Sequence, residues 1–284
     1  VGILEWQHSD SWESFPKEGR KDAELVEFFR QAGVPRDQIL FIKDREATKE
    51  RVQRLMARHL SRASEGDMLI FYFTGHGARD EETGTVYFAN YDADDDLART
   101  AWSVPSIFNS IERNFKGSRA LLIADCCYSG ALADEAVRRR TSIAYAALAS
   151  ARSDSTSTGE WTFTETLLRG FRGNARVDRD QDGEIELSEL ARYENARMRS
   201  VEGQATSFAA TRNFPSEMVL AEVSHREVSN RRATPASERL EVEWQGEWYP
   251  AAILEVRGTR YRIHYLGYGS EWDEWVDRAR LRRT

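Results

Sequence analysis

Cysteine, lysine and long apolar runs are all scarce in this 284-residue sequence, and each shortage argues against a class of protein. The two cysteines, Cys126 and Cys127, are neighbours in the chain, where disulfide geometry is rarely reached. We therefore predict two free thiols and a reducing, cytoplasmic compartment. No apolar run is long enough to cross a membrane, and no secretion signal is visible. The chain opens on V-G-I-L-E-W, which is typical of the end of a strand, so we expect residues upstream of Val1.

Lysine is scarce but arginine is common, so Lys and Arg together number 40 against 47 Asp and Glu. The chain has five lysines and a formal net charge of −7, which argues against nucleic acid as the main partner. Its length suffices for one large domain plus a small one, and a core of that size needs no disulfide or metal to hold it together.

Apolar strands alternate with amphipathic helices over residues 1–222. The predicted helices cover 19–34, 47–63 and the segment opened by Ser103 and Pro105, and the predicted strands cover 38–42, 67–73, 120–126 and 142–150. This alternation indicates an α/β domain with a mostly parallel central sheet flanked by helices. Active sites in such sheets form beyond the carboxyl ends of the strands.

Two of these strands end in turns that carry reactive side chains. The strand before residue 74 runs into T-G-H-G with His76, and the strand before residue 125 runs into D-C-C-Y-S-G with Cys127. If the strands are parallel, the imidazole and a thiol emerge at one edge, where histidine activates cysteine as a nucleophile for acyl transfer. A lone histidine or a lone cysteine in such a turn is commonly structural, but the joint pattern favours catalysis.

With these motifs, residues 1–222 resemble the caspase-like cysteine peptidases, within them the metacaspases and orthocaspases. The resemblance is carried by Y-F-T-G-H-G and A-D-C-C-Y-S-G, with support from G-R-K-D-A-E-L-V and the later S-A-R-S-D-S and F-T-E-T-L-L-R-G-F. It implies that Cys127 is the nucleophile, that His76 is its base, and that the backbone amides of Gly77 and Cys127 form an oxyanion hole. Cys126 stands where metacaspases commonly have serine, so we interpret it as non-catalytic.

The resemblance also predicts the substrate class. Metacaspases have aspartate two residues before the nucleophile and cleave after Arg or Lys, and Asp125 stands at that position. On an extended segment its carboxylate points to the same side as the thiol of Cys127. We predict Asp92 as a second acid of this pocket. The alternatives are that Asp125 only caps a turn and that Asp92 is an ordinary turn residue.

An acidic segment follows the motifs of the proposed peptidase. D-R-D-Q-D-G-E-I-E-L-S-E over 178–189 fits the calcium-loop pattern D-x-D-x-D-G-x5-E without a mismatch. The expected ligands are Asp178, Asp180, Asp182, Glu184 through its carbonyl, Glu186 and Glu189. The alternative is an acidic loop that binds nothing at physiological calcium. No organic cofactor is expected.

The last 47 residues are rich in aromatic side chains and follow a polar linker predicted over 223–237. Alternating apolar residues in 238–284 indicate a small all-β barrel, which resembles the chromo-barrel or Tudor-knot modules. The resemblance implies a cage for methylated lysine, held by cation–π contacts. The cage positions are Tyr249, Tyr265, Tyr268 and Trp272. The alternative is that the rings only fill a small core, as we expect of Trp244, Trp248 and Trp275.

Together these features predict a cysteine endopeptidase that cleaves protein substrates after Arg or Lys and is targeted by its C-terminal barrel. The competing interpretation is a catalytically silent adaptor that binds protein, including methyl-lysine, through the barrel. We expect neither a nucleic-acid nor a membrane partner. Basic residues could serve as self-cleavage sites or form solvated charge runs, and they are Arg138, Arg139, Arg140, Arg231 and Arg232.

Overall fold

A computed structural model describes residues 1–223, 240–244, 247–266 and 272–283. The chain divides into two compact units, Val1–Ser224 and His225–Thr284. Apart from Val223, the predicted linker lies outside the described residues, as do Tyr268, Arg231 and Arg232. In the described part of the chain, no helix is long and apolar enough to cross a membrane.

The first unit alternates helices and strands, as its apolar patterns predict. Its helices are α1 (Lys21–Gln31), α2 (Lys49–Leu60), α3 (Leu97–Thr100), α4 (Val104–Asn114), α5 (Ala131–Arg138), α6 (Thr162–Phe171) and α7 (Leu187–Glu202). Its strands are β1 (Met68–Thr74), β2 (Gly77–Arg79), β3 (Val86–Phe88), β4 (Trp102–Ser103), β5 (Arg119–Asp125), β6 (Ala144–Ala149), β7 (Glu184–Glu186), β8 (Ser207–Ala210) and β9 (Val219–Glu222).

The central sheet has the strand order β1-β5-β6-β8, in which β1, β5 and β6 are parallel and β8 is antiparallel. Every residue of β6 is buried, as expected of a strand that is covered on both faces. Two groups of helices flank the sheet: α2 packs on α4 and α4 on α5, whereas α1 packs on α6 and α6 on α7. The predicted mostly parallel sheet flanked by helices is confirmed.

One predicted strand is wrong. Residues 38–42 form no ladder, and the backbone contact with the chain's first residues consists of the Gly2–Lys43 bridge and the hydrogen bonds from the Gly2 amide to the Ile42 carbonyl and from the Asp44 amide to the Gly2 carbonyl. The segment is bracketed by 3-10 turns at Arg36–Gln38 and Asp44–Glu46, so too few residues remain in register to continue the pairing.

The second unit is a curled antiparallel sheet, a half-barrel. Its strands are β10 (Leu240–Trp244), β11 (Glu247–Arg257), β12 (Arg260–Tyr265), β13 (Glu274–Asp277) and β14 (Leu281–Arg283), in the order β13-β12-β11-β10-β14. A register shift between Ile253 and Glu255 marks a bulge that bends the long strand β11. The small core consists of Val242, Ala251, Ile263, Tyr265, Val276 and Leu281.

Candidate active site

His76 and Cys127 follow the carboxyl ends of two adjacent parallel strands. β1 pairs with β5 in a register that places Thr74 opposite Asp125, so the two reactive turns begin at the same level of one sheet edge. Both side chains and that of Asp125 line one cavity of about 350 Å³. This volume lies at the lower end of the range of small-ligand sites, which suits a pocket for a single side chain.

The backbone of the histidine turn lies directly against the cysteine turn. A Cβ atom added at Gly77 would lie 2.0 Å from the carbonyl oxygen of Cys127, so no larger residue fits without moving one of the turns. The amide of Ala89 donates to the carbonyl of His76, which makes Gly77–Phe88 a non-hydrogen-bonded pair of the β2–β3 ladder. The Gly77 N–H therefore points away from β3, as an oxyanion donor requires.

The imidazole of His76 is held in one orientation by a backbone oxygen and three rings. Its Nε2 lies 2.7 Å from the carbonyl oxygen of Glu13, and because a carbonyl only accepts, Nε2 donates and Nδ1 is left as the acceptor. The ring centroids of Trp6, Phe15 and Trp12 lie 4.5, 4.6 and 5.5 Å from that of the imidazole. Burial lowers the pKa of His76 below its usual value, so the ring is neutral at pH 7 and can accept a proton.

The two cysteines have different surroundings. Cys126 is buried, and burial raises the pKa of its thiol well above the ordinary value, which keeps it protonated. Cys127 is partly exposed, and its Sγ lies 3.2 Å from the backbone nitrogen of Ser157, which donates to it. The residue after it, Tyr128, has a φ of 56°, a left-handed conformation that is uncommon for a tyrosine and marks a sharp turn. These contacts support the interpretation of Cys126 as non-catalytic.

Asp125 forms a buried acidic wall of the cavity. It is 7% exposed, and its Oδ2 accepts a hydrogen bond of 2.6 Å from the hydroxyl of Thr164 on α6. Burial raises the pKa of its carboxyl to about 6, although hydrogen bonds from Thr164 and Ser150 oppose the rise. The carboxylate is thus partnered by side-chain hydroxyls and faces the cavity, rather than capping a turn.

The structure places Asp92 outside this pocket, contrary to prediction. Its Oδ1 accepts a 2.8 Å hydrogen bond from the backbone nitrogen of Lys49, at the first residue of α2, and it does not line the cavity. The acids that do join Asp125 there are Glu18 and Glu160, which the sequence analysis missed. Both lie in loops, where no periodicity indicates which way a side chain points.

The acidic loop has the shape that its pattern predicts. One carboxylate oxygen from each of Asp178, Asp180 and Asp182 lies within 4.8 Å of the others. Gly183 has a φ of 96°, which permits the sharp turn after them. Glu189 accepts from the backbone nitrogens of Arg179 at 2.6 Å and Asp180 at 3.3 Å, so its carboxylate closes the loop. A set of carboxylate oxygens without a positive partner among them fits a hard cation such as Ca²⁺.

The other two predicted ligands, Glu184 and Glu186, lie in different surroundings. Glu184 is exposed and begins β7, which pairs with β9. The side chain of Glu186 caps α7 in a reciprocal box with Glu189, and this neighbouring carboxylate raises the pKa of Glu186 to about 7. The helix after the loop, predicted from its apolar spacing, is α7.

The three consecutive arginines differ in accessibility. Arg138 ends α5 and is exposed, as is Arg140. Arg139 is anchored instead. Its guanidinium lies 2.6 Å from Glu135 and 3.3 Å from Glu112, and its Cζ is 5.2 Å from the centroid of the Phe108 ring. An anchored side chain cannot enter a substrate pocket without disrupting this packing, so Arg139 is the weakest candidate for cleavage.

The aromatic residues of the second unit form a cluster that differs from the predicted cage. The ring of Trp244 contacts those of Tyr249 and Trp272 with centroid distances of 6.1 and 6.0 Å, and Tyr249 contacts Tyr265 at 6.1 Å. We expected Trp244 in the small core, but it is 37% exposed and belongs to this cluster instead. Tyr265 is buried, and its hydroxyl donates to Glu274.

Two other tryptophans were also expected in the core. The structure places Trp248 under the guanidinium of Arg282, with 4.2 Å between Cζ and the ring centroid, and Trp275 under that of Arg257, at 5.2 Å. Both rings are half-buried, because a face that carries an arginine cannot also face the apolar core.

Comparison with known proteins gives matches for both units. Residues 18–228 match the caspase domain family. Residues 235–283 match the Tudor-knot family, described as the RNA binding activity-knot of a chromodomain.

Single proteins also match. Metacaspase-4 of Arabidopsis thaliana is 28% identical over 165 residues, which are 51% of this chain and 38% of that protein, so the chain spans well under half of its relative's length. The crystal structure of a Geobacter sulfurreducens protein has a similar fold, with a TM-score of 0.51, 10% identity and coverage of 79% of this chain and 99% of that one.

Proposed function

The chain belongs to the caspase domain family of cysteine peptidases, and on that premise we propose that it is an endopeptidase that cleaves protein substrates after Arg or Lys. The observation that carries the proposal is the single cavity lined by His76, Cys127 and Asp125 beyond the aligned ends of β1 and β5. It combines a base, a thiol and a buried acid in the part of a parallel sheet where active sites form.

The proposed reaction proceeds through an acyl-enzyme. His76 takes the thiol proton of Cys127, and the thiolate attacks the scissile carbonyl of the substrate. The backbone amides of Gly77 and Cys127 stabilise the oxyanion. The imidazolium then gives its proton to the leaving amine, and a water molecule, deprotonated by the neutral ring, releases the acyl group and restores the thiol.

The charge of the cavity supports specificity for a basic residue before the scissile bond. Its acidic residues are Glu18, Asp125 and Glu160, whereas no lysine or arginine is among the described residues that line it. Above pH 6 Asp125 is mostly ionised and can pair with a guanidinium or an ammonium group. An aspartate in the same pocket would meet only like charge. A reducing compartment such as the cytoplasm suits a thiol nucleophile.

We extend the proposal to a calcium site in the loop of residues 178–189. Asp178, Asp180, Asp182 and Glu189 would hold the ion, with Glu184 contributing its carbonyl and Glu186 a side-chain oxygen. The support is the approach of three aspartate oxygens to within 4.8 Å of one another, which is repulsive unless a cation lies between them.

We propose that the C-terminal unit binds a protein partner or a methylated peptide through the cluster of Trp244, Tyr249 and Trp272. Trp244 and Trp272 are 37% and 49% exposed, and their rings are nearly perpendicular at 84°, which supports an aromatic site for a cationic group. In the competing interpretation the protein is a catalytically silent adaptor, and binding by this unit is then its whole function. RNA, named in the description of the matched family, is the alternative ligand to include in a binding test.

Fluorogenic peptides test the proposed reaction. Matched peptides with Arg, Lys or Asp before the cleaved bond are offered to the wild type, Cys127→Ala and His76→Ala, with calcium and with a chelator. The proposal expects cleavage of the Arg and Lys peptides by the wild type alone. Cleavage of the Asp peptide would refute the pocket assignment, and equal turnover by Cys127→Ala would refute the mechanism.

A further inference from the structure

The loop after β6 lies over the sulfur of Cys127. Besides the hydrogen bond from the Ser157 amide to Sγ at 3.2 Å, the amide of Tyr128 donates to the carbonyl of Ser155 at 2.8 Å. The loop thus contacts the nucleophile turn at the reactive atom and at the next residue. Residues 157–161 of the same loop also line the cavity.

The contact at the sulfur discriminates between its protonation states. An N–H group donates to a thiolate, whereas a neutral thiol gains more from an acceptor. The carbonyl oxygen of Ser157, to which a thiol can donate, is 3.9 Å from Sγ, farther than the amide nitrogen at 3.2 Å. The local geometry therefore favours the charged form of the sulfur, which is the reactive one.

A side chain distant in sequence holds this amide in place. The Nε2 of Gln204 donates to the carbonyl of Ser150 and lies 3.4 Å from the hydroxyl of Ser157, so it bridges the start and the middle of the loop. Gln204 is itself fixed. Gln204 follows Gly203, which caps the end of α7 with a φ of 64°, and the backbone N–H of Gln204 donates to the carbonyl of Met198.

The end of α7 holds the far end of the loop as well. Glu202, in the last turn of that helix, accepts a hydrogen bond from the hydroxyl of Thr162, directly after the loop. Two residues at one helix end therefore fix the loop on both sides of Ser157. Neither His76 nor Cys127 takes part in these contacts.

We propose that the backbone N–H of Ser157 stabilises the thiolate of Cys127, and that Gln204 is the positioning residue that keeps this N–H on the sulfur. The inference rests on the proposed function only in taking Cys127 as the reactive thiol. It adds a donor to the ground-state nucleophile, separate from the amides that would stabilise the oxyanion later in the reaction.

Alkylation of Cys127 by iodoacetamide, followed over a range of pH by intact-mass spectrometry, tests the proposal without any peptide substrate. Ser157→Pro removes the N–H itself, and the φ of Ser157 is not positive, so proline's range is not excluded. Gln204→Ala removes the support. Thr156→Ala, at the exposed residue before it, is the matched control because it keeps both the N–H of Ser157 and the contact of its hydroxyl with Gln204, and Cys127→Ala shows the background from Cys126.

The variants retain the other titratable groups that line the cavity, which are Glu18, His76, Asp125, Cys126 and Glu160. A change in the pH profile of alkylation therefore reports the altered contact. Because hydrogen bonds to charged groups are among the strong ones, we expect alkylation near neutral pH to slow by about threefold to tenfold in Ser157→Pro and in Gln204→Ala. The profile should move to higher pH with its high-pH plateau retained, and Thr156→Ala should follow the wild type.

Two results would overturn the proposal. One is that both variants, with unchanged thermal melting, keep the wild-type profile. The other is an equal loss of rate at every pH, which reports lost access or lost structure and not a lost donor. A shifted profile in a protein that cleaves no peptide would refute the peptidase proposal and leave this inference intact.

Discussion

Replacement of Asp125 by asparagine should make the protein more stable at neutral pH while removing its proposed activity. The carboxyl is 7% exposed, and its pKa rises from 3.8 to about 6 on burial. Between these values the folded protein holds the proton more tightly than the unfolded chain. The wild type therefore loses stability as pH rises through this interval, and the loss persists above pH 6.

The size of this effect follows from the same shift. A rise in pKa from 3.8 to about 6 corresponds to about 3 kcal/mol of unfolding free energy, because a tenfold change in an equilibrium constant is about 1.4 kcal/mol. The amide of Asp125→Asn does not ionise, so the variant avoids this loss. Its stability relative to the wild type should rise by up to about 3 kcal/mol between about pH 4 and about pH 7.

Urea unfolding, followed by tryptophan fluorescence at several pH values, measures the difference. Both proteins carry Cys127→Ala, which prevents self-cleavage during the experiment. Asp10→Asn, at an exposed position, is the matched control and should show no such trend. The claim that an ionised carboxylate is kept in the buried wall would be refuted if Asp125→Asn and its parent differed in unfolding free energy by the same amount at every pH in this range.

Three further predictions concern other parts of the chain. Gly77→Ala should destabilise the fold by about 1–3 kcal/mol and slow peptide cleavage, because its Cβ would lie 2.0 Å from the carbonyl oxygen of Cys127. Gly66→Ala is the control: it has open space around it and should change neither the melting temperature nor the cleavage rate. Calcium should raise the melting temperature of the wild type, by about 2.7 kcal/mol in stability at a hundredfold excess over Kd, but not that of Asp180→Asn/Asp182→Asn; an indifferent wild type would leave the loop merely acidic. Purified wild type should fragment after Arg138, Arg140, Arg231 or Arg232. Arg140→Gln should remove one fragment, whereas Arg139→Gln should give every wild-type fragment, because the Arg139 side chain is anchored by Glu135. If the wild type stays whole, as Cys127→Ala should, self-cleavage is excluded.

The parts of the site that follow strand ends could be predicted from sequence. Apolar strands identify β1 and β5, and parallel pairing then brings the turns of His76 and Cys127 to one edge. Local patterns also sufficed for the acidic loop, since its spacing alone defines the turn. In both cases the information lies within a few neighbouring residues.

Contacts between distant segments could not be predicted in this way. The carbonyl of Glu13 that orients His76 is a backbone atom, which no residue type reveals. Asp92 follows a strand as a pocket acid would, but its carboxylate accepts from the Lys49 amide at the start of α2. Gln204 reaches Ser157 across 47 residues of chain. Such pairings depend on how the loops fold back over the sheet.

The sequence also could not predict which acids enter the pocket or which aromatic rings are exposed. Glu18 and Glu160 enter the cavity from two separate loops, and neither loop has a hydrophobic period to set its direction. In the C-terminal unit, Trp244 ends β10 with its ring beside Trp272, and alternation along a short strand could not distinguish an exposed ring there from a core ring.

The central claim is that Cys127 is a nucleophile beside a pocket for basic side chains. Its most direct test is intact-mass spectrometry after incubation with matched peptidyl ketones that alkylate cysteine nucleophiles and carry Arg or Asp at the reactive end. The account predicts one adduct per chain, on Cys127, with the Arg reagent; it predicts little with the Asp reagent and none with Cys127→Ala or after Asp125→Asn. Equal labelling by both reagents, or an adduct on Cys126, would contradict it.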